Sequence, residues 1–197
     1  MRQGDTAVQD ETLLRPQPSA VDARLSPAAL TSALHSGGVL PCDHSVVAVY
    51  PEALGRSKSM MSSLLRLRLE YDCEDLGAPT TLVAKFECDD EFRRSVAQRM
   101  HFYEREVFFY ERLADSVSFR VPQCFHVSFD AGAAEPLLLL EDLGDSATDQ
   151  TAGCPWDQVE LVVDEIAGFH AKWWGGTRSL ERSVVTIDDP EIGRAHV

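Results

Sequence analysis

The chain has 197 residues, 44% of them hydrophobic, enough for one ordinary core or for a small lobe joined to part of another. Its formal net charge of −14 argues against a nucleic-acid-binding face and against an anionic membrane surface, since both need clustered Lys and Arg. No run reaches the roughly 18 apolar residues of a membrane span and no signal-peptide core opens the chain, so a cytoplasmic protein is expected.

Residues 1–24 are polar, poor in aromatics and contain Pro16 and Pro18, which predicts a flexible N-terminal tail. Ser26 then caps a helix with Pro27 at its first position, running to His35 and stopped by Gly37-Gly38. Ser45–Tyr50 is rich in β-formers. Leu65–Tyr71 alternates strictly, leucines on one face and charges on the other. Between them, Pro51–Ser63 reads as a serine-rich hairpin connection. A turn at Asp75–Pro79 leads to a third strand, Thr80–Phe86, completing an antiparallel meander.

From Asp90 to about Ala114, apolar residues recur at three- and four-residue spacing: Val96, Met100, Tyr103, Val107, Tyr110 and Ala114. One continuous helix is predicted. Gln123–Phe129 and Pro136–Leu140 form a strand pair around Asp130-Ala131-Gly132, the second nearly all leucine and so suited to burial on both faces. After a polar loop at Asp145–Gly153, a helix from Pro155 to about Trp174 carries Val159, Val162, Ile166, Phe169 and Trp173 on one stripe, with Gly175-Gly176 as its stop. The fold class is α+β: a five-stranded antiparallel sheet with one inserted helix, followed by the first helix of a second lobe. The five cysteines are scattered and odd in number, which predicts reduced and mostly buried thiols, without a disulfide framework or a zinc site.

Few residues carry chemistry. Lys85 ends an apolar strand, and Val83 shares its face; in a nucleotide site this arrangement sets the ammonium near the α- and β-phosphates and Val83 above adenine. Taken alone, Lys85 reads sooner as a solvent-facing strand lysine. Three glutamates on the long helix compete to meet it. At about 100° per residue, Glu106 falls about 60° from the centre of the apolar stripe, and Glu104 and Glu111 lie roughly 80–100° off on the other flank. A carboxylate leaning into an apolar seam needs a cation, which favours Glu106 with Lys85, against a reading in which it simply reaches water. Glu141-Asp142-Leu143 follow the leucine strand as a connector, and otherwise read as an acidic turn. The serine-rich connection (Gly55, Ser57, Ser59, Ser62, Ser63) could cover phosphates with backbone amides, but it has no GxGxxG and the chain has no Walker motif. His170 reads as a packing or capping residue, and the pair Trp173-Trp174 as buried rather than lining a substrate cleft.

These segments together resemble the aminoglycoside phosphotransferase and choline kinase-like superfamily, and within it the ecdysteroid-kinase-like (CHK kinase-like) phosphotransferases. The resemblance runs from about Leu25 to Thr177 and rests on LVAKF, REVFFYERL (Arg105–Leu113), VPQCF (Val121–Phe125), LLLLEDL (Leu137–Leu143) and FHAKWW (Phe169–Trp174). It implies a protein-kinase-like fold, with residues 25–143 as N-lobe and hinge and 144–190 as the start of a truncated C-lobe. It also implies ATP-dependent phosphoryl transfer to a hydroxyl of a small molecule, with Mg2+ as the accompanying metal. By position, Lys85 would contact the α/β-phosphates, Glu106 would hold that lysine, and Glu141, Asp142 and Leu143 would form the adenine-binding hinge. The family's HGD-x-x-x-x-N loop and metal-binding aspartate have no counterpart here; Asp188-Asp189 has neither their spacing nor their flanks. Residues 191–197 resemble translated adapter read-through, so an N-terminal fragment without activity of its own is expected, its last helix leaving an apolar stripe uncovered. The competing expectation is a non-catalytic nucleotide-binding or interaction module that retains only the small lobe.

Overall fold

The computed structural model describes residues 23–54, 59–74, 76–132, 135–144 and 153–174. Residues 1–22 of the predicted tail, Gly55 and Ser57, most of the 145–153 loop, Gly175-Gly176, Asp188-Asp189 and residues 191–197 lie outside the described residues, while Ala23 and Arg24 belong to a short 3-10 turn, Ala23–Leu25.

Helix α1 (Pro27–Ser36) begins as its sequence demands: the Ser26 side chain accepts a hydrogen bond from the Ala29 N–H, and Pro27 sits where no donor is needed. The sheet comprises β1 (Val46–Ala53), β2 (Ser62–Tyr71), β3 (Thr81–Glu87), β4 (Cys124–Asp130) and β5 (Glu135–Glu141). Its order is β1-β2-β3-β5-β4, every pairing antiparallel. Strand β5 therefore lies between β3 and β4, and Leu137 to Leu140 are all buried. The fold class read from the sequence is the one observed.

The sheet separates two apolar layers. On one face, Leu67, Leu69, Leu82, Ala84, Leu137 and Leu139 pack with Leu30 and Leu34 of α1. On the other, Leu138 and Leu140 meet Val107 and the half-buried Tyr110 and Cys124. Successive strand residues point to opposite faces. In register, Lys85 is opposite Leu138 and Leu64, and Val83 is opposite Leu140 and Arg66. Lys85, Val83 and Arg66 therefore share the face that carries Val107.

Several boundaries differ from those read in the sequence. Strand β1 runs on through Pro51 to Ala53 and β2 begins at Ser62, so the hairpin connection is shorter than predicted. Pro51 is tolerated because β1 is an edge strand, where a missing donor need cost the ladder nothing. The long helix is not continuous. It divides into α2 (Glu91–Arg99), capped by the Asp90 side chain, and α3 (Phe102–Phe108), which continues into a π-helical turn (Phe109–Leu113) and a 3-10 turn (Ala114–Ser116). His101 adopts a left-handed conformation (φ 53°) at the break. The break shifts the phase of the buried stripe, so Ala97, not Val96, is buried in α2, while Tyr103 and Val107 are buried in α3.

Helix α4 (Trp156–Trp173) presents Leu161, Val162, Val163 and Ile166 exposed. It touches the lobe near Phe119, whose ring lies 5.9 Å from that of Phe169, and through a bond from Lys172 Nζ to the Ser116 carbonyl. Two expectations fail. Trp174 is 87% exposed, because it follows the last helical residue. Of the five cysteines, all free, only Cys88 is buried and Cys124 half-buried; Cys42, Cys73 and Cys154 are exposed, each lying in a loop or turn. Among the described residues no helix is long and apolar enough to cross a membrane.

Candidate nucleotide site

The site is built on β3, α3 and the segment after β5. Lys85 Nζ lies 2.6 Å from Glu106 Oε1, and the two side chains are 23% and 27% exposed. Of the three competing glutamates, only Glu106 meets the lysine: Glu104 pairs with His101 Nδ1 at 3.2 Å and Glu111 is exposed. Glu106 comes through the edge of the apolar stripe, beside Tyr110 and Cys124. Burial pushes the Tyr110 hydroxyl up to about 12, with the Glu106 charge adding to the effect. Burial likewise takes the Cys124 thiol to about 11, again helped by Glu106. The carboxylate thus sits beside apolar side chains, with the Lys85 ammonium as its ion-pair partner. Such a pair holds the ammonium at a fixed point above the sheet, close enough to solvent to meet a phosphate.

The connector residues have definite side-chain partners that the sequence alone did not reveal. Asp142 accepts from Arg66 Nε at 2.7 Å and Nη2 at 3.1 Å, and from the Gly144 N–H at 2.9 Å. Burial works to raise its carboxyl, but these donors outweigh it and hold Asp142 below the ordinary carboxylate value. Glu141 accepts from the Gln123 N–H at 3.1 Å and from Arg120 at 2.6 Å, which lower its carboxyl. Its own N–H donates to the Gln123 carbonyl at 2.8 Å. Both carboxylates are therefore engaged, Asp142 with Arg66 of β2 and Glu141 with the segment just before β4, and Leu143 is half-buried beside them. Arg66 was hidden in the alternation of β2, where it read as one of several outward charges; only the register shows that it shares a face with Val83 and Lys85.

The serine-rich connection contributes little by way of side chains. Ser59 Oγ accepts from the Ser62 N–H, a local brace, and Ser63 Oγ accepts from the Asp89 N–H just before the helical segment. Ser62 and Ser63 belong to β2. His170 is exposed and tilted against Phe169. Among the described residues no group of three or more His, Cys, Asp or Glu could hold a metal ion. A shallow concavity of about 610 Å3 lies elsewhere, at the β4–β5 turn. Its Arg24 is already paired with Glu87 and Glu135.

The model of the ecdysteroid kinase-like family matches residues 56–172, more than half of the chain. The chain belongs to the ecdysteroid kinase-like family. The matched span includes β2, β3, α3, β5 and all but the last residue of α4, and so contains Lys85, Glu106 and the Glu141–Leu143 connector. Membership places it with the kinase-like phosphotransferases. Comparison with curated proteins and with solved structures gives no match.

Proposed function

We propose that the chain forms the nucleotide-holding lobe of a cytoplasmic phosphotransferase that moves the γ-phosphoryl group of ATP to a hydroxyl of a small molecule. The observation that carries the reading is the 2.6 Å Lys85–Glu106 pair on the face shared with Val83. Lys85 would meet the α- and β-phosphates, Glu106 would keep its ammonium in place, and Val83 would cover the adenine. Glu141, Asp142 and Leu143 would form the hinge, offering the base edge backbone groups other than the Glu141 N–H, which the Gln123 carbonyl already takes. Mg2+ is expected to accompany ATP, but the described residues supply no seat for it.

The test is titration of the 197-residue chain with a fluorescent ATP analogue. Lys85→Met removes a charge-assisted hydrogen bond of about 1.5–3 kcal/mol, so the Kd should rise roughly 10- to 150-fold. Glu106→Gln should weaken binding less, because Lys85 keeps its charge. Unchanged binding in Lys85→Met, or none in the wild type, would overturn the reading. Labelled phosphate appearing on an alcohol would add transfer to binding; nucleotide bound without transfer fits both the transferase lobe and a non-catalytic binding module, since the chain carries no HGD-x-x-x-x-N loop.

A further inference from the structure

Helix α3 bears Glu106, yet its orientation is not inherited from α2, because the left-handed His101 interrupts the backbone between them. Val107 rests on Leu138 and Leu140, but apolar contact is non-directional and fixes neither the rotation nor the height of a helix closely. One polar tie does. Tyr103, three residues before Glu106 and 2% exposed, donates from its hydroxyl to the Met61 carbonyl at 2.9 Å and accepts from the Cys88 N–H at 3.0 Å.

Met61 immediately precedes β2 and Cys88 immediately follows β3, and Ser62 pairs with Glu87. The phenol therefore bolts α3 to the open end of the β2–β3 ladder, using both its donor and its acceptor. Lys85 is three residues upstream on the same β3. Residues three apart on a helix are neighbours on its surface, so a hydroxyl fixed at Tyr103 fixes the place from which Glu106 reaches out. Further bonds reach the same corner from the start of the helical segment: Asp89 N–H to Ser63 Oγ at 3.3 Å and Arg93 Nη1 to the Met60 carbonyl at 3.5 Å.

We propose that Tyr103 is a positioning residue, its hydroxyl clamped between two backbone groups so that α3 presents Glu106 to Lys85. The consequence for nucleotide binding rests on the reading of Lys85 and Glu106 proposed above; the geometric claim stands apart from it. Tyr103→Phe keeps the ring in the core and removes only the clamp. Tyr71→Phe is the matched control, since Tyr71 is also part-buried and donates to the Pro79 carbonyl at 2.7 Å, at the opposite end of the same β2–β3 pair.

The experiment treats the nucleotide-free 197-residue chain with a water-soluble carbodiimide and measures the Lys85–Glu106 amide by peptide mass spectrometry. The expected result is the amide in the wild type, a several-fold loss in Tyr103→Phe and wild-type yield in Tyr71→Phe. Wild-type yield in Tyr103→Phe, an equal loss in Tyr71→Phe, or no amide in the wild type would overturn the proposal. Should Tyr103→Phe fail to fold, amide hydrogen exchange of the wild type decides. The Cys88 N–H and the N–H groups of α3 should then share one opening rate, and independent rates would count against the clamp. Titration of the same proteins with the fluorescent ATP analogue separates the two readings. An amide that depends on Tyr103 in a protein that binds no nucleotide retains the clamp and removes the nucleotide.

Discussion

Replacing Arg66 with Met should loosen the connector, and the size of the effect follows from its geometry. The guanidinium makes two bonds to Asp142, at 2.7 and 3.1 Å, and the Asp142 side chain is only 8% exposed against 27% for Arg66. Truncating one partner of a fully buried pair costs about 3–5 kcal/mol. Here Asp142 keeps the Gly144 N–H and its guanidinium partner is partly wet, so about 2–3 kcal/mol is expected. Met retains the apolar stem of the arginine, which keeps lost packing from inflating the number.

A double-mutant cycle with Asp142→Asn, read by urea unfolding at pH 7, isolates the pair, and a coupling of about 2 kcal/mol is expected. At an m-value of roughly 2 kcal/mol per molar, the single Arg66→Met change moves the urea midpoint by about 1 M. The pH dependence has a defined sign. Asp142 is held below its ordinary 3.8 in the folded chain, so its contribution is complete above that value and is lost as pH falls through the folded one. The coupling should therefore shrink in acid. A coupling under about 0.5 kcal/mol at pH 7, the level of an exposed pair, would refute the reasoning.

Gly37→Ala should destabilise the lobe by about 1–3 kcal/mol, measured by thermal unfolding, because a Cβ there would sit 2.0 Å from the Phe125 carbonyl oxygen. Among the thiols, Cys124, with its pKa near 11, should resist iodoacetamide at pH 8, while exposed Cys42, Cys73 and Cys154 react; mass spectrometry of the alkylated peptides reads the order. Burial holds the His126 imidazole below its ordinary 6.5, so the folded chain binds fewer protons than the unfolded one. Stability should fall as pH drops below about 6.5, and His126→Gln should flatten that slope in urea midpoints taken from pH 7 to 5.

The parts of the fold that were legible in the sequence are those set by short periods. The alternating leucines of β2 face the α1 layer, and the leucine run of β5 is buried on both sides. The break at His101 was not legible, since no glycine marks the left-handed residue and the apolar spacing runs through it. Glu106 was legible because a helical wheel needs only local spacing. Arg66–Asp142 and Tyr103–Met61 join residues far apart in the chain, and no local pattern encodes a register between strands. Exposed Trp174 and the loop cysteines depart from residue-type averages because each lies beyond the end of an element.

The sheet order also dictates a sequence of events during synthesis. Strand β4 leaves the ribosome before β5, yet its hydrogen-bonding neighbour in the sheet is β5. The β1–β2–β3 meander can zip as it emerges, whereas β4 must wait, unpaired, until residues 135–141 arrive to fill the gap. Until then the outer edge of β3 is bare and Val107 has no leucines beneath it, which makes this interval the one in which a nascent chain is open to edge-to-edge association and to capture by chaperones.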